Sequence, residues 1–171
     1  MLRKRRPRGA SAPERAAEQA GDPQAAFDAG VSLIARRDFC SGELAQKLSA
    51  RGFEAATVGA ALEQLRARRY LDDERYASQF VAYRARRGQG PRRIAQELAE
   101  LGVPAALVAA AIDEGGDWAS LARETRARRF GQPLPQLWPE RARQARFLQY
   151  RGFSNDHIRA ALGSDAITEA D

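Results

Sequence analysis

Apolar side chains recur every three or four residues along most of the chain, which is the spacing of amphipathic helices. Residues 91–112 show this pattern most clearly, as a pair of helices. The apolar faces of the pair are formed by Ile94, Leu98 and Leu101, and then by Leu107, Val108, Ala111 and Ile112. We expect Gly102 to end the first helix in a left-handed conformation. Pro104 suits the first turn of the second helix, where a missing N–H is tolerated.

The same helix pair returns fifty residues earlier and fifty residues later, which makes an internal repeat. Matched positions keep their character, as in Leu48, Leu98 and Leu148; Gly52, Gly102 and Gly152; and Phe53, Val103 and Phe153. The exception is Gln144, because its counterparts Leu44 and Ile94 are apolar. Glycine at three matched positions is not a by-product of a leucine- and alanine-rich composition. We therefore interpret the chain as tandem copies of one helical unit.

A further amphipathic helix precedes each pair, so the repeating unit contains three helices. The predicted repeats span residues 24–69, 70–115 and 116–163. Residues 1–23 are predicted to form a disordered basic tail, and residues 164–171 a frayed C-terminal tail. The sequence shows no period-two alternation and no β-branched run. The predicted fold is all-α, with three tandem three-helix repeats forming an elongated, curved array.

Composition narrows the class of protein. Hydrophobic residues make up 44% and charged residues 29% of the chain, as in soluble proteins. No stretch approaches the roughly 20 apolar residues of a membrane-spanning helix, and the N-terminus has no apolar signal segment. Cys40 is the one cysteine and His157 the one histidine, which excludes an internal disulfide and disfavours a zinc site. We expect a cytoplasmic monomer without metal, other cofactor or membrane attachment.

The net charge of +6 is unevenly distributed. Most of it comes from the first eight residues, through Arg3, Lys4, Arg5, Arg6 and Arg8. The rest of the chain is nearly balanced, which weakens the case for general attraction to nucleic acid. Of the 28 basic residues all but two are arginine. Arginine suits bidentate contacts to carboxylate or phosphate groups, and a base-composition bias of the genome is the alternative explanation.

Arginine clusters recur at the predicted junctions between helices, and we take them as the candidate partner-binding surface. The candidates are Arg66, Arg68, Arg69, Arg84, Arg86, Arg87, Arg92, Arg93, Arg126, Arg128, Arg129, Arg143 and Arg146. An arginine-lined face suits phosphate groups or an acidic protein groove. The alternative is that each cluster is a solvated helix face without a partner.

Sequence motifs of catalysis are missing. The chain has no glycine-rich phosphate loop, no Gly-x-Ser-x-Gly and no histidine pair. His157 has no nucleophile indicated beside it, and Cys40 is better explained as a small buried residue than as a reactive thiol. The adjacent acids Asp72, Asp73 and Glu74 fit the first turn of a helix better than a metal site. We expect no catalytic residue, and therefore a protein that is not an enzyme.

Four segments resemble the RecX family of recombinase regulators, in matching order and spacing. They are Ser41-Gly42-Glu43-Leu44, Tyr70-Leu71-Asp72-Asp73-Glu74-Arg75-Tyr76-Ala77, Gly88-Gln89-Gly90-Pro91-Arg92-Arg93-Ile94 and Phe147-Leu148-Gln149-Tyr150-Arg151-Gly152-Phe153. The resemblance covers about residues 25–162 and does not include the basic tail.

This resemblance implies tandem three-helix repeats, in agreement with the repeat found above. It implies that the chain binds the RecA recombinase filament in its helical groove. It also implies inhibition of filament extension, ATP hydrolysis and strand exchange, and so a role in recombination, DNA repair and the SOS response. An open alternative is a protein that binds single- or double-stranded DNA, through the basic tail and helix pairs that resemble helix-turn-helix units.

Overall fold

The computed structural model describes residues 19–163, and from Pro23 to the end of this range the chain forms nine α-helices and no strand. In chain order they are α1 (Pro23–Ile34), α2 (Ser41–Ser49), α3 (Ala55–Ala67), α4 (Asp73–Arg86), α5 (Pro91–Glu100), α6 (Ala105–Glu114), α7 (Trp118–Phe130), α8 (Trp138–Tyr150) and α9 (Asn155–Leu162). The helices follow in three sets of three, and all three members of each set pack on one another. The predicted all-α fold of tandem three-helix repeats is confirmed.

The chain divides into two compact units, with the boundary after Asp72, and the first unit contains α1–α3. α1 begins at Pro23, where Oδ1 of Asp22 caps the helix by accepting a hydrogen bond from the backbone N–H of Gln24 (2.9 Å). The core of this unit includes Phe27, Leu44, Leu48, Phe53, Val58, Leu62 and Leu65. Burial of each large apolar side chain contributes about 1.5–3 kcal/mol, so this core is a major favourable contribution to the stability of the first unit.

The second unit contains α4–α9, which form the second and third repeats. The second repeat buries Ala77, Val81, Ile94, Leu98, Val103, Val108 and Ala111. The third repeat has a core of Ala122, Leu148, Phe153, Ile158, Ala161 and Leu162. The matched leucines of the sequence repeat, Leu48, Leu98 and Leu148, are all fully buried. The fifty-residue period therefore reflects three copies of one core.

The matched glycines end the middle helix of each repeat. Gly52, Gly102 and Gly152 have φ angles of +93°, +81° and +92°, as the sequence predicted. The residue after each glycine donates its N–H back to the carbonyl of the buried leucine, at 3.4, 3.1 and 3.1 Å. This contact satisfies a carbonyl group that the helix end would leave without a partner.

The second and third repeats meet backbone to backbone. The N–H of Gly90 donates to the carbonyl oxygen of Arg151 (2.7 Å), and the N–H of Arg92 donates to that of Gly152 (3.0 Å). A Cβ atom on Gly90 would lie 2.4 Å from the backbone carbon of Gly152. A Cβ atom on Gly152 would lie 2.3 Å from the Cβ atom of Arg93. Glycine at both positions therefore allows the start of α5 to lie directly against the α8–α9 turn.

Trp118 makes a second junction between these repeats. Its side chain is buried at the start of α7, and its Nε1–H donates to the carbonyl oxygen of Ile112 in α6 (3.0 Å). Gly115 leaves room for the indole, because a Cβ atom there would lie 2.5 Å from Cζ2 of Trp118. A buried tryptophan with a satisfied N–H anchors the first helix of the third repeat on the second.

The one exception in the repeat has a structural reason. Gln144 occupies the core position that is apolar in the other repeats, and its Oε1 accepts a hydrogen bond from Nη1 of Arg126 (3.3 Å). The guanidinium group of Arg126 is buried and also donates to the carbonyl oxygens of Gln132 (2.8 Å) and Pro133 (3.0 Å). A buried charge requires such partners. Gln144 therefore helps Arg126 to hold the long loop before α8.

The structure differs from the sequence prediction at the N-terminal boundary. The predicted basic tail reached residue 23, but Gln19 and Ala20 are helical. The carbonyl oxygen of Ala20 accepts a hydrogen bond from the N–H of Glu54 (3.0 Å), a group at the start of α3 that has no partner within its own helix. The rest of that prediction, residues 1–18, and the predicted C-terminal tail, residues 164–171, lie outside the described residues.

Tyr83 lies on the solvent-exposed side of α4. Its side chain is 47% exposed. Ala77 and Val81 are the buried residues of α4, and a residue two positions after Val81 lies on the other side of the helix. The elongated, curved arrangement of the repeats stays a prediction.

Candidate partner-binding surface

In the first unit, the candidate arginines stand at the end of α3. Nε of Arg66 donates to Oγ of Ser41 (3.2 Å), and the guanidinium of Arg68 stacks 4.5 Å from the ring centroid of Phe27. Arg69 has a φ angle of +58°, a left-handed conformation that follows the last turn of the helix. The three residues are exposed, and contacts with the fold orient two of the side chains.

Arg84 and Arg93 share one carboxylate group. Nη2 of Arg84 lies 2.9 Å from Oε2 of Glu97, and Nε of Arg93 lies 3.0 Å from Oε1. Nη1 of Arg93 also reaches the carbonyl oxygen of Tyr150 in the third repeat (3.5 Å). Glu97 is partly buried, so loss of either arginine would leave its charge less compensated. These two arginines therefore stabilise the second unit, whatever they bind.

Arg126 requires a correction. The sequence placed it in the candidate surface, but its side chain is only 4% exposed. All its described hydrogen bonds go to Gln144 and to the loop before α8. Its guanidinium faces the interior because that loop has backbone carbonyl groups that require donors. Its role is structural.

Three other candidates, Arg87, Arg128 and Arg129, line a pocket of about 230 Å³ in the second unit. Arg151 lines the same pocket, together with Gly88, Thr125 and Phe147. We call it the arginine pocket. Nη1 of Arg151 donates to the carbonyl oxygen of Arg87 (3.1 Å), which joins the end of α4 to the α8–α9 turn. Four arginines from three segments thus line one small volume.

Arg151 is the residue that the candidate set missed. In the sequence it lies in the Arg151-Gly152-Phe153 segment, where the glycine and phenylalanine match Gly52 and Phe53 of the first repeat. Its proximity to Arg87 depends on the contact between two repeats, because the residues are 64 positions apart. The signal available in the sequence was that Arg151 matches Arg51 of the first repeat, since both directly precede the matched glycine.

Aromatic rings alternate with arginines around the arginine pocket. Arg87 lies 5.4 Å from the ring centroid of Tyr83 and donates a hydrogen bond to its hydroxyl oxygen. Arg151 lies 5.3 Å from the ring of Phe147. Phe130 packs edge-on against Phe147, with centroids 5.2 Å apart. Stacking on aromatic faces orients guanidinium groups while their N–H groups remain able to donate.

The remaining candidates lie at the surface of the second unit. Arg143 lies 5.4 Å from the ring of Phe130 and pairs with Glu140 at 3.0 Å. Arg86, Arg92 and Arg146 are exposed. Arg92 lines a larger pocket that also contains carboxylates, and so that pocket has mixed charge. The structure thus distributes the candidate arginines over several surfaces and brings three of them together with Arg151.

Metal-binding geometry is absent from the described range, residues 19–163. No group of three or more His, Cys, Asp or Glu side chains there could hold a metal ion. His157 caps α9: its Nδ1 accepts the N–H of Ser154 (3.3 Å), and Oγ of Ser154 accepts the N–H of His157 (3.3 Å). Burial lowers the pKa of His157, against the opposing charge of Asp156. Cys40 is fully buried and caps α2.

Membrane attachment through a spanning segment finds no support in the same range, because none of its helices is long and apolar enough to cross a bilayer. Tandem three-helix repeats with exposed arginines define the class: an all-α helical-repeat protein. Three family models match the chain in order: the first three-helix domain of RecX at residues 26–65, the second at 72–112 and the third at 117–162.

Relatives agree with these matches. The chain is 44% identical over 142 residues to a regulatory protein RecX of Halorhodospira halophila, covering 82% of this chain and 88% of the relative. It is 42% identical over 138 residues to one of Ectopseudomonas mendocina, covering 80% and 92%. A crystal structure of RecX from Lactobacillus salivarius matches with a TM-score of 0.73 at 17% identity, covering 86% and 97%. The chain belongs to the RecX family of regulatory proteins.

Proposed function

We propose that this protein binds the RecA recombinase filament in its helical groove and inhibits filament extension, ATP hydrolysis and strand exchange. In this way it would modulate recombination and DNA repair in the cytoplasm. The observation that carries the proposal is the match of all three RecX three-helix domains in order, at residues 26–65, 72–112 and 117–162. The proteins matched over most of this chain are named as regulators.

The surface chemistry is compatible with a large protein partner. Arginines are exposed on both units, and exposed arginine is favoured in interfaces because its guanidinium both donates hydrogen bonds and stacks. Regulation by binding also requires no catalytic residue of its own. In this proposal the chain inhibits the filament through its contact surfaces, and it acts as a monomer.

The test is single-stranded-DNA-dependent ATP hydrolysis by the cognate recombinase, titrated with the full chain. We expect inhibition at less than one molecule per recombinase subunit. Arg86→Glu with Arg92→Glu should weaken inhibition about tenfold or more, because reversed charges oppose contacts that exposed arginines make. Arg84 and Arg93 are unsuitable for this test, because their replacement would disturb Glu97.

A matched control carries the same change of charge outside the candidate surface. Arg36→Glu with Lys47→Glu, both exposed in the first unit, should inhibit like the unmodified chain. Full inhibition by the Arg86 and Arg92 variant would remove those residues from the contact. A different result would refute the proposal: inhibition that appears only when the chain is in excess over DNA and that disappears when the basic residues at positions 3–8 are replaced by glutamine. Such inhibition would show competition for DNA.

A further inference from the structure

The arginine pocket concentrates positive charge that its own walls do not neutralise. Arg87, Arg128, Arg129 and Arg151 line it, and among the residues that the structure describes no carboxylate does. Arg128 has one acidic neighbour outside the pocket, Glu124, at 3.6 Å, with both side chains more than half exposed. An exposed pair at that distance contributes little. Like charges held together repel, so an anion in the pocket would be stabilised by all four arginines.

Two of the four guanidinium groups are oriented by hydrogen bonds and keep further N–H donors available. Arg151 uses one N–H on the carbonyl oxygen of Arg87, and Arg87 uses one on the hydroxyl of Tyr83. Each guanidinium has five N–H donors. In the wall of the pocket, Oγ1 of Thr125 is buried and has no hydrogen-bond partner within the described residues. A bound oxyanion would give this hydroxyl a partner as well.

We propose that the arginine pocket binds a phosphate group of a single-stranded nucleic acid. Its volume of about 230 Å³ lies below the roughly 300 Å³ at which small-molecule pockets begin. The pocket therefore fits one charged group of a longer ligand better than a whole nucleotide. Arginine forks match phosphate oxygens with two parallel hydrogen bonds, which a point charge does not.

Aromatic groups beside the pocket favour a nucleic-acid strand over an acidic polypeptide. Tyr83 is 47% exposed next to Arg87, so one face of the site carries a ring on which a base can stack. Arg129 and Arg143 lie 5.9 and 5.4 Å from the ring of Phe130, on the side of α7 and α8. Alternating cations and rings characterise surfaces that bind single strands without reading their sequence. The glutamate side chains of an acidic polypeptide could not stack on these rings.

This inference goes beyond the proposed regulation of a recombinase, because it predicts binding with no recombinase present. The experiment measures the anisotropy of a labelled oligothymidylate against the full-length chain, over a series of salt concentrations. Arg128→Gln with Arg129→Gln should raise the Kd at least about tenfold, since two charge-assisted contacts are lost. The slope of log Kd against log salt should fall by about 0.7, as expected for one lost phosphate contact.

Two further variants separate the geometry of the pocket from its charge. Arg36→Gln with Lys47→Gln removes the same charge from the first unit and should change the Kd less than about twofold. Arg128→Lys with Arg129→Lys retains the charge without the fork and should give an intermediate Kd. Circular dichroism establishes that each variant is folded. If the double glutamine variant is not, Arg129→Gln alone is evaluated by the same criteria.

Three results would overturn the inference. Equal Kd values for the Arg128 and Arg129 variant and for the Arg36 and Lys47 variant would show that only overall charge matters. Displacement of the oligonucleotide by polyglutamate of equal charge would identify an acidic polypeptide as the occupant. Displacement by inorganic phosphate at concentrations comparable to nucleotide would identify a free anion. A failure of recombinase inhibition would leave all of these measurements unaffected.

Discussion

At the scale of single residues, glycines at matched positions of the repeat have different structural roles. Gly52 and Gly152 have nearly the same φ angle, +93° and +92°. Nothing lies within 4 Å of a Cβ atom built on Gly52. A Cβ atom on Gly152 would overlap Arg93. The first glycine is thus required for its backbone conformation alone, and the second also for contact between repeats.

This difference predicts unequal costs for the same substitution. Gly52→Ala should lower the free energy of unfolding by about 1–2 kcal/mol, the cost of a left-handed alanine. Gly152→Ala adds overlap with the backbone of α5 and should cost at least about 2 kcal/mol more. Urea denaturation of both variants measures the difference. Equal costs would contradict the close backbone contact between Gly90 and Gly152.

The left-handed conformation of these glycines was predictable from the sequence, whereas the contact between repeats at Gly152 was not. A recurring glycine after a helix predicts a left-handed turn from local chemistry, and Gly52, Gly102 and Gly152 agree. Contact between Gly152 and Arg93 depends on how two repeats pack, which no local pattern encodes. Arg126 shows the same limit, because exposed and buried arginines look alike in a helix. The sequence signal for the burial of Arg126 was Gln144, a polar residue at a position that is apolar in the other two repeats.

At the scale of helices, the capping residues determine where a short helix begins. α9 has only eight residues, and its start is fixed by reciprocal hydrogen bonds between Ser154 and His157. Nδ1 of His157 can accept the N–H of Ser154 only while it is unprotonated. Burial is the main cause that lowers the pKa of His157, and the charge of Arg92 acts in the same direction. Asp156 and Asp117 oppose them.

The cap therefore predicts a loss of stability in mild acid. His157 binds a proton less readily in the folded chain than in the unfolded one, so its contribution is complete above the unfolded pKa of about 6.5. It should be lost as the pH falls through the lower, folded pKa. Tm measured between pH 7.5 and about 5.5 tests this, because His157 is the one histidine. His157→Gln keeps the cap without titrating, and it should abolish the decline. A slope unchanged in that variant would assign the effect elsewhere.

The candidate surface was predictable only helix by helix. Clusters at helix ends were visible in the sequence, and the structure places Arg87, Arg128 and Arg129 at such ends. Their convergence with Arg151 required the packing of two repeats. Sequence clusters therefore identified most of the relevant residues, while the fold decided which of them share a pocket.

At the scale of the whole molecule, the second unit combines two repeats through main-chain contacts. Hydrogen bonds from Gly90 and Arg92 to the α8–α9 turn cross between them, and Trp118 adds a buried anchor. In repeat proteins, stability is the sum of each repeat and its interfaces. An interface made of backbone groups without space for side chains should couple the two repeats strongly.

We therefore predict that the second and third repeats unfold together. Ile94→Ala and Leu148→Ala each remove a fully buried side chain, one from each repeat, at a cost of about 2–5 kcal/mol. Native-state hydrogen exchange should show that either variant lowers the protection of slow amides in both repeats by equal amounts. Lower protection confined to the repeat that carries the substitution would contradict this coupling.

The contact at Gly90 also bears on how such a chain can lengthen through gene duplication. Glu140 of the third repeat stands fifty positions after Gly90, but it lies inside the first turn of α8. Its N–H already donates to the carbonyl oxygen of Leu137 (3.1 Å). A fourth copy added after the third would find neither a free N–H nor a position without a side chain. A fourth copy could therefore not dock through the contact that joins the second repeat to the third unless the start of α8 were first rebuilt.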